Sequence, residues 1–424
     1  MRIKLAYGVD GLWLDLPDAL DVTVLEPHFV PALAESEAAL RAALAAPLES
    51  PPLRECVRAS DRVAIIFSDI TRPTPNHLIL PAVLEAIAHV PPEQIVLCNA
   101  LGTHRPNTSE ELVRLLGPVI VSRYRIIQNN AFDPSTQRYL GQTSRGHELW
   151  INREVVAADF RILTGFIEPH FFAGFSGGGK ALMPGMAGLQ TVLGNHDAGM
   201  IDDPGATWGV SYGNPIWEEA REAAQRVGPN FLLNVTLNRD QAITGVFAGA
   251  LPTAHDAGIA FLRQSALVPV AAPFDVVITT NAGYPLDQSL YQSVKGMSAA
   301  ARIVRPGGAI IIAAACADGI PDHGLYGELL RSAGSPANVL AMVRAFDPPR
   351  QDQWQAQIQA LVQLKADVYV YSDGLTDTQV RDALLQPCHD IPALVSDLAA
   401  RYGPGARIAV LPEGPQTIAC VGAV

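Results

Sequence analysis

The stretch RVAIIFSDITRP, residues 62–73, sets an unbroken apolar run directly before a polar turn that holds Asp69 and Arg72. A strand without polar alternation is buried on both faces, as in parallel sheets covered by helices. Three more runs of this kind follow, at Ile95–Cys98, Tyr124–Gln128 and Phe160–Thr164. Between them, PAVLEAIAHV (81–90) and SEELVRLLG (109–117) space their apolar residues as amphipathic helices do. A second series, Asp275–Thr279, Ala309–Ala314, Val368–Tyr371 and Ile408–Leu411, repeats the arrangement. The Ala- and Pro-rich segment QSALVPVAAPFD (264–275) separates the two series. This pattern predicts an α/β protein of two domains with mostly parallel sheets, residues 1–268 forming the first and 269–424 the second. Ahead of the first run, IKLAY and LWLDL flank Gly8–Gly11 and read as a β-hairpin.

Composition bounds the function. At 424 residues the chain exceeds one ordinary domain, and 49% hydrophobic against 17% charged residues marks it as globular, not disordered. A formal net charge of −12 argues against nucleic acid or an anionic membrane surface as partner. An anionic substrate would have to be held by local cations working against that field. The five cysteines (Cys56, Cys98, Cys316, Cys388, Cys420) are far apart and form no CxxC pair. Neither a disulfide framework nor a thiolate zinc site is suggested. The N-terminal MRIKLAYGVDG has no apolar signal core, and the most apolar run, Ala309–Ala317, is too short to span a bilayer. The expectation is a soluble cytoplasmic protein.

The loops after the strands carry the chemistry. SDITRP, NALGTHRP, GFIEPHFFAGFSGGGK and NAGYPLDQSLYQSVKG each succeed one of the apolar runs. Parallel strands share a carboxyl edge where ligands bind, so these four loops are expected to meet in one site. Gly174–Lys180 has the spacing G-x-x-x-x-G-K, yet Ala181 stands where a phosphate-binding loop needs Ser or Thr for magnesium. A nucleotide triphosphatase is disfavoured. Gly177, Gly178 and Gly179 let the backbone approach a ligand and offer N–H groups to an anion. Phe171, Phe172 and Phe175 oppose the plainer reading of an idle surface loop. Among the ten histidines, His28, His77, His89, His147, His255, His323 and His389 have no chemical neighbours in sequence and read as structural or solvated. His104, His170 and His196 lie in loops punctuated by Gly or Pro, as candidate metal ligands or acid/base groups. No HExxH spacing supports a hydrolytic zinc site.

Taken together, SDITRP (68–73), GTHRP (102–106), EPHFFAGFSGGGKALMPG (168–185), GNHDA (194–198) and YQSVKG (291–296) resemble the lactate racemase family. The resemblance runs in order through nearly the whole chain. It implies two α/β domains with the active site in the cleft between them. It also implies a nickel-pincer nucleotide, a pyridinium mononucleotide holding nickel through thioamide or thiocarboxylate sulfurs, made by separate biosynthetic proteins. By that resemblance Lys180 anchors the cofactor and His196 ligates nickel. Asp69, Gly177, Gly178, Gly179 and Trp354 join in cofactor binding, with Asp69 close to the catalytic histidine. His104 and His170 are the acid/base pair, while Arg72, Lys295, Tyr291 and Gln292 bind a small anionic 2-hydroxy acid.

The chemistry of that substrate accounts for these groups. The C2 hydrogen beside an ionised carboxylate is a very poor acid, so removal as hydride, with loss of the hydroxyl proton to a base, avoids a carbanion. The implied cofactor supplies the electrophilic carbon. Two bases are needed because the hydroxyl lies differently in each enantiomer, and imidazole, with an unperturbed pKa of about 6.5, suits both. Arg72 can grip the carboxylate with paired hydrogen bonds, and Lys295 adds charge. Two other readings compete. A nicotinamide-dependent dehydrogenase is weakened by the absence of GxGxxG after the early strands. A cofactor-binding protein without turnover would not need both His104 and His170.

Overall fold

The computed structural model describes residues 1–322 and 324–422; His323 and the final two residues lie outside the described residues. In the first unit six strands are ordered Ile243–Gly249, Asn230–Leu237, Phe160–Phe166, Val63–Ser68, Ile95–Ala100 and Arg125–Gln128. All are parallel except the Ile243–Gly249 edge, which turns back on Asn230–Leu237. Every residue of Phe160–Phe166 is buried, as are Val63 to Phe67, because helices cover both faces. The uninterrupted apolar runs follow from that double burial. The expected helix at 109–117 forms as Ser109–Leu116, closed at its start by a reciprocal capping box between Thr108 and Glu111.

The second unit is a wholly parallel sheet in the order Gln386–Pro387, Ala366–Tyr371, Val304–Ala313, Phe274–Thr280, Arg407–Leu411 and Asp21–Val24. Its last strand comes from the start of the chain, which departs from the expected division at residue 268. The hairpin Arg2–Leu5/Leu12–Asp15 also belongs here, since Ile3, Leu5, Leu14 and Leu16 share a core with Val276, Ile278, Ile311 and Val410. Residues 1–24 are therefore first in sequence but part of the second unit. A four-residue edge strand, DVTV, carries no local mark of a partner nearly four hundred residues away. The segment between the two series is itself partly a strand: Leu267–Val270 pairs in parallel with Ile418–Val421. No described helix is long and apolar enough to cross a membrane.

Because the strands run parallel, the carboxyl ends of Val63–Ser68, Ile95–Ala100 and Phe160–Phe166 emerge on one edge. Those ends lead directly into Asp69, His104 and His170. From the second unit, helix Leu290–Ala301 brings Tyr291, Gln292 and Lys295 to face them, and helix Gln353–Lys365 brings Trp354.

Candidate active site

An inner cavity of about 170 Å³ lies between the units. Its wall includes Asp69, Arg72, His104, His170, Gly177, Lys180, His196, Tyr291, Gln292, Lys295 and Trp354, so nearly all the expected residues converge. Gly178 and Gly179 do not line it. The backbone N–H of Gly178 donates to Asn234 Oδ1 at 2.8 Å, which leaves it unavailable to an anion. Gly178 has φ +57°, and a Cβ there would lie 2.2 Å from His255 Nδ1. This glycine is required by the close turn and by packing on His255, and it differs in that respect from the anion-binding expectation. His255 in turn bonds the Ser176 carbonyl at 2.9 Å and stacks on Trp217, a structural histidine as expected.

The two acid/base candidates are held differently. His104 Nδ1 lies 2.9 Å from Asp69 Oδ2, and Thr71 Oγ1 donates to Asp69 Oδ1 at 2.8 Å. Burial pushes the Asp69 carboxyl up, but the His104 imidazole, the Arg72 guanidinium and the Thr71 hydroxyl outweigh it and hold the pKa below the usual range. Ionised Asp69 accepts from Nδ1–H, which leaves the Nε2 lone pair of His104 available as a base. His170 is buried among Phe171 and Phe172, and its Nδ1 accepts from the Ala173 backbone N–H at 3.2 Å. A neutral His170 therefore carries its proton on Nε2. Burial, then Lys180, Lys295 and Arg72, lower its pKa well below the ordinary value.

Three cations crowd this space. Desolvation, then Arg72 and Lys295, lower Lys180 to about 7, and desolvation with Arg72 lowers Lys295 to about 7. The Lys180 ammonium also lies 5.6 Å from the centroid of the Phe172 ring. Arg72 forms no ion pair among the described residues; it donates to the Thr71 carbonyl and hydroxyl at 3.3 and 3.2 Å. The local carboxylates are Asp69 and Glu168. Glu168 is 6% exposed, accepts from Gln416 Nε2 at 3.3 Å, and favours the charged forms of both lysines. Sequence reasoning passed over Glu168, although its place beside His170 in EPHF was a usable signal.

His196 closes helix Leu189–Asn195, wedged edge-on between Phe172 and Trp354 at ring separations of 5.0 and 5.1 Å. Its Nδ1 is buried with no partner at hydrogen-bond distance, and burial, then Lys180, lower its pKa to about 3. It is a neutral imidazole, the form that ligates metals. Trp354 Nε1 donates to the Tyr291 hydroxyl at 3.0 Å, tying the second unit's two contributions together. His147, expected to stand alone, does not: it bonds Glu219 at 2.8 Å and Asp197 at 3.4 Å, which raise its pKa to about 9. Its partners lie 72 and 50 residues away, so the cluster had no signature in sequence.

Two units with mostly parallel sheets that enclose a cationic, histidine-bearing cavity at their strand ends define an α/β protein. Residues 7–209 match the lactate racemase N-terminal domain model, and residues 270–419 match the lactate racemase C-terminal domain model. The lactate racemase of Thermoanaerobacterium thermosaccharolyticum is 34% identical over 423 residues, covering 98% of this chain and 99% of that one. The lactate racemase of Lactiplantibacillus plantarum is 37% identical over 373 residues, 87% of each chain. The solved lactate racemase apoprotein from T. thermosaccharolyticum superposes with a TM-score of 0.91 at 33% identity, over 99% of this chain and 100% of that one. A Thermotoga maritima protein shares the fold at TM-score 0.70 and 17% identity, over 93% of this chain and 100% of that one. The chain belongs to the lactate racemase family.

Proposed function

We propose that this chain interconverts the two C2 configurations of a small 2-hydroxy acid, the reaction for which its relatives are named. The observation that carries the reading is the presence of two imidazoles, His104 on Asp69 and His170 on the Ala173 N–H, in the lining of one cavity with three cationic side chains. Arg72 and Lys295 would bind the substrate carboxylate. His104 would take the hydroxyl proton of one configuration through Nε2 and share its charge with Asp69; His170 would serve the other configuration in its Nδ1–H tautomer, with the Ala173 N–H released from Nδ1 so that Nε2 is free to accept. The aromatic wall of Phe171, Phe172 and Trp354 excludes water from the intervening keto acid.

The residues fit a nickel-pincer nucleotide. His196 offers a neutral, buried imidazole with an unpartnered ring nitrogen. Among the described residues no group of three or more His, Cys, Asp or Glu side chains could hold a metal ion. One imidazole suffices only where an organic ligand supplies the other donors. Lys180, with a pKa of about 7, can present a neutral amine to such a group. When bound, the cofactor would supply an electrophilic carbon that takes and gives back the C2 hydride.

The test is to load the protein with cofactor and supply each pure enantiomer in turn. Racemisation without added nicotinamide is expected, and His104→Ala or His170→Ala should lower the rate by about 100- to 10,000-fold. Each variant should retain a half-reaction with only one enantiomer. Release of keto acid that depends on added NAD would indicate a dehydrogenase, and no turnover at all a binding protein.

A further inference from the structure

We infer that His147 and Glu219, which lie outside the cavity, are positioning residues that fix the direction of the His196 imidazole. The inference deepens the proposed reading and rests on His196 as the nickel ligand. Nothing at the ring itself steers it. Its Nδ1 has no hydrogen-bond partner, and Phe172 and Trp354 flank it edge-on. Neither neighbour supplies a hydrogen bond, since Trp354 Nε1 donates to the Tyr291 hydroxyl. The direction of the ring therefore depends on the backbone of residues 194–197 that carries it.

That backbone is gripped on both sides of His196. Gly194 packs so closely on the His147 ring that a Cβ there would lie 2.8 Å from His147 Cγ. Asn195 Nδ2 donates to Glu219 Oε2 at 2.8 Å. Asp197 accepts the Met200 N–H at 2.7 Å through Oδ1 and turns Oδ2 to His147 Nε2 at 3.4 Å. His147 Nδ1 meets Glu219 Oε1 at 2.8 Å, and Thr143 Oγ1 donates to the same oxygen at 2.5 Å. With a carboxylate at each ring nitrogen, His147 carries both protons and is a cation. The pair is anchored on helix Pro215–Val227 and on the turn before strand Glu148–Asn152, neither of which lines the cavity. The motif GNHDA divides its work accordingly: Gly194 admits the His147 ring, Asn195 and Asp197 hold the pair, and His196 faces the cavity. Partners of this kind, one step removed from a metal ligand, set how well the ligand is aimed.

The experiment has two readouts, neither of them turnover. In the unloaded protein, with carbon-13 at histidine Cε1, the His196 ring signal is assigned by its loss in His196→Gln. It should be a single line displaced by the Phe172 and Trp354 rings. His147→Gln, Glu219→Gln and Asn195→Ala should each broaden it and move it toward the position of a solvent-exposed histidine, while the His104 signal stays in place. The spectra are compared well below each variant's melting temperature, where a contact that only adds stability leaves the native signal unmoved. Asn195→Ala keeps the ion pair and decides the matter if loss of either partner unfolds the chain. In the pincer-loaded protein the same variants should hold nickel about 10- to 100-fold less tightly against a competing chelator. A His196 signal that stays in place in the folded variants overturns the inference, as does full nickel retention. A protein that takes up no pincer cofactor defeats the racemase reading, and the signal of the unloaded protein still decides whether His147 and Glu219 aim His196.

Discussion

At the scale of single residues, the site works by holding charge where water would normally disperse it. Asp69 fixes which nitrogen of His104 bears the proton. Asp69→Asn keeps the shape but permits the opposite tautomer, so the loaded protein should lose about 100- to 10,000-fold in kcat with little change in substrate affinity. A second consequence concerns pH. Lys295 has its pKa depressed to about 7 by desolvation and by Arg72. It is charged below that value and neutral above it, so kcat/KM for an anionic substrate should fall as pH rises past about 7. Lys295→Arg, always charged, should move that alkaline limb upward. A profile unmoved by the substitution would remove Lys295 from carboxylate binding. The identities of these residues were legible in the loops after the strands. Their protonation states were not, because those arise from distant neighbours, such as Asp69 beside His104 and Arg72 and Lys295 beside Lys180, that only folding brings near.

At the scale of elements, the strand ends were readable and the supports beneath them were not. Uninterrupted apolar runs announced the parallel strands, and each loop began where its run stopped. The clamp under His196 had no such announcement: His147 reaches Glu219 on helix Pro215–Val227 and Asp197 at the start of helix Ala198–Asp202. Its folded pKa, near 9, lies above the unfolded value. The clamp thus contributes full stability below about pH 6.5 and loses it as pH rises through 9. His147→Gln should lower the melting temperature by about 4–8 °C at pH 6, and the difference should vanish above pH 9.5. A deficit independent of pH would mean that His147 acts through packing alone. The glycine loop teaches a related lesson. Its sequence suggested a ligand cradle, yet Gly178 is spent on Asn234 and His255, and the turn serves to deliver Lys180.

At the scale of the whole molecule, two sheets place complementary halves of one site on opposite walls. The first unit supplies His104, His170, Lys180 and His196; the second supplies Lys295, Tyr291, Gln292 and Trp354. The strand from residues 21–24 ties the start of the chain into the second sheet, so the two units are linked at more than one point. That linkage was illegible because a short edge strand pairs by topology and not by local pattern. The division of labour explains why an acidic chain concentrates three cations in its cleft. It also frames the central claim: the C2 hydrogen leaves as hydride and returns to the same carbon without entering solvent. The most direct measurement tracks a substrate deuterated at C2 through racemisation in ordinary water by the loaded protein. The account expects the product of inverted configuration to keep its deuterium; inversion accompanied by replacement of that deuterium with solvent hydrogen would contradict it.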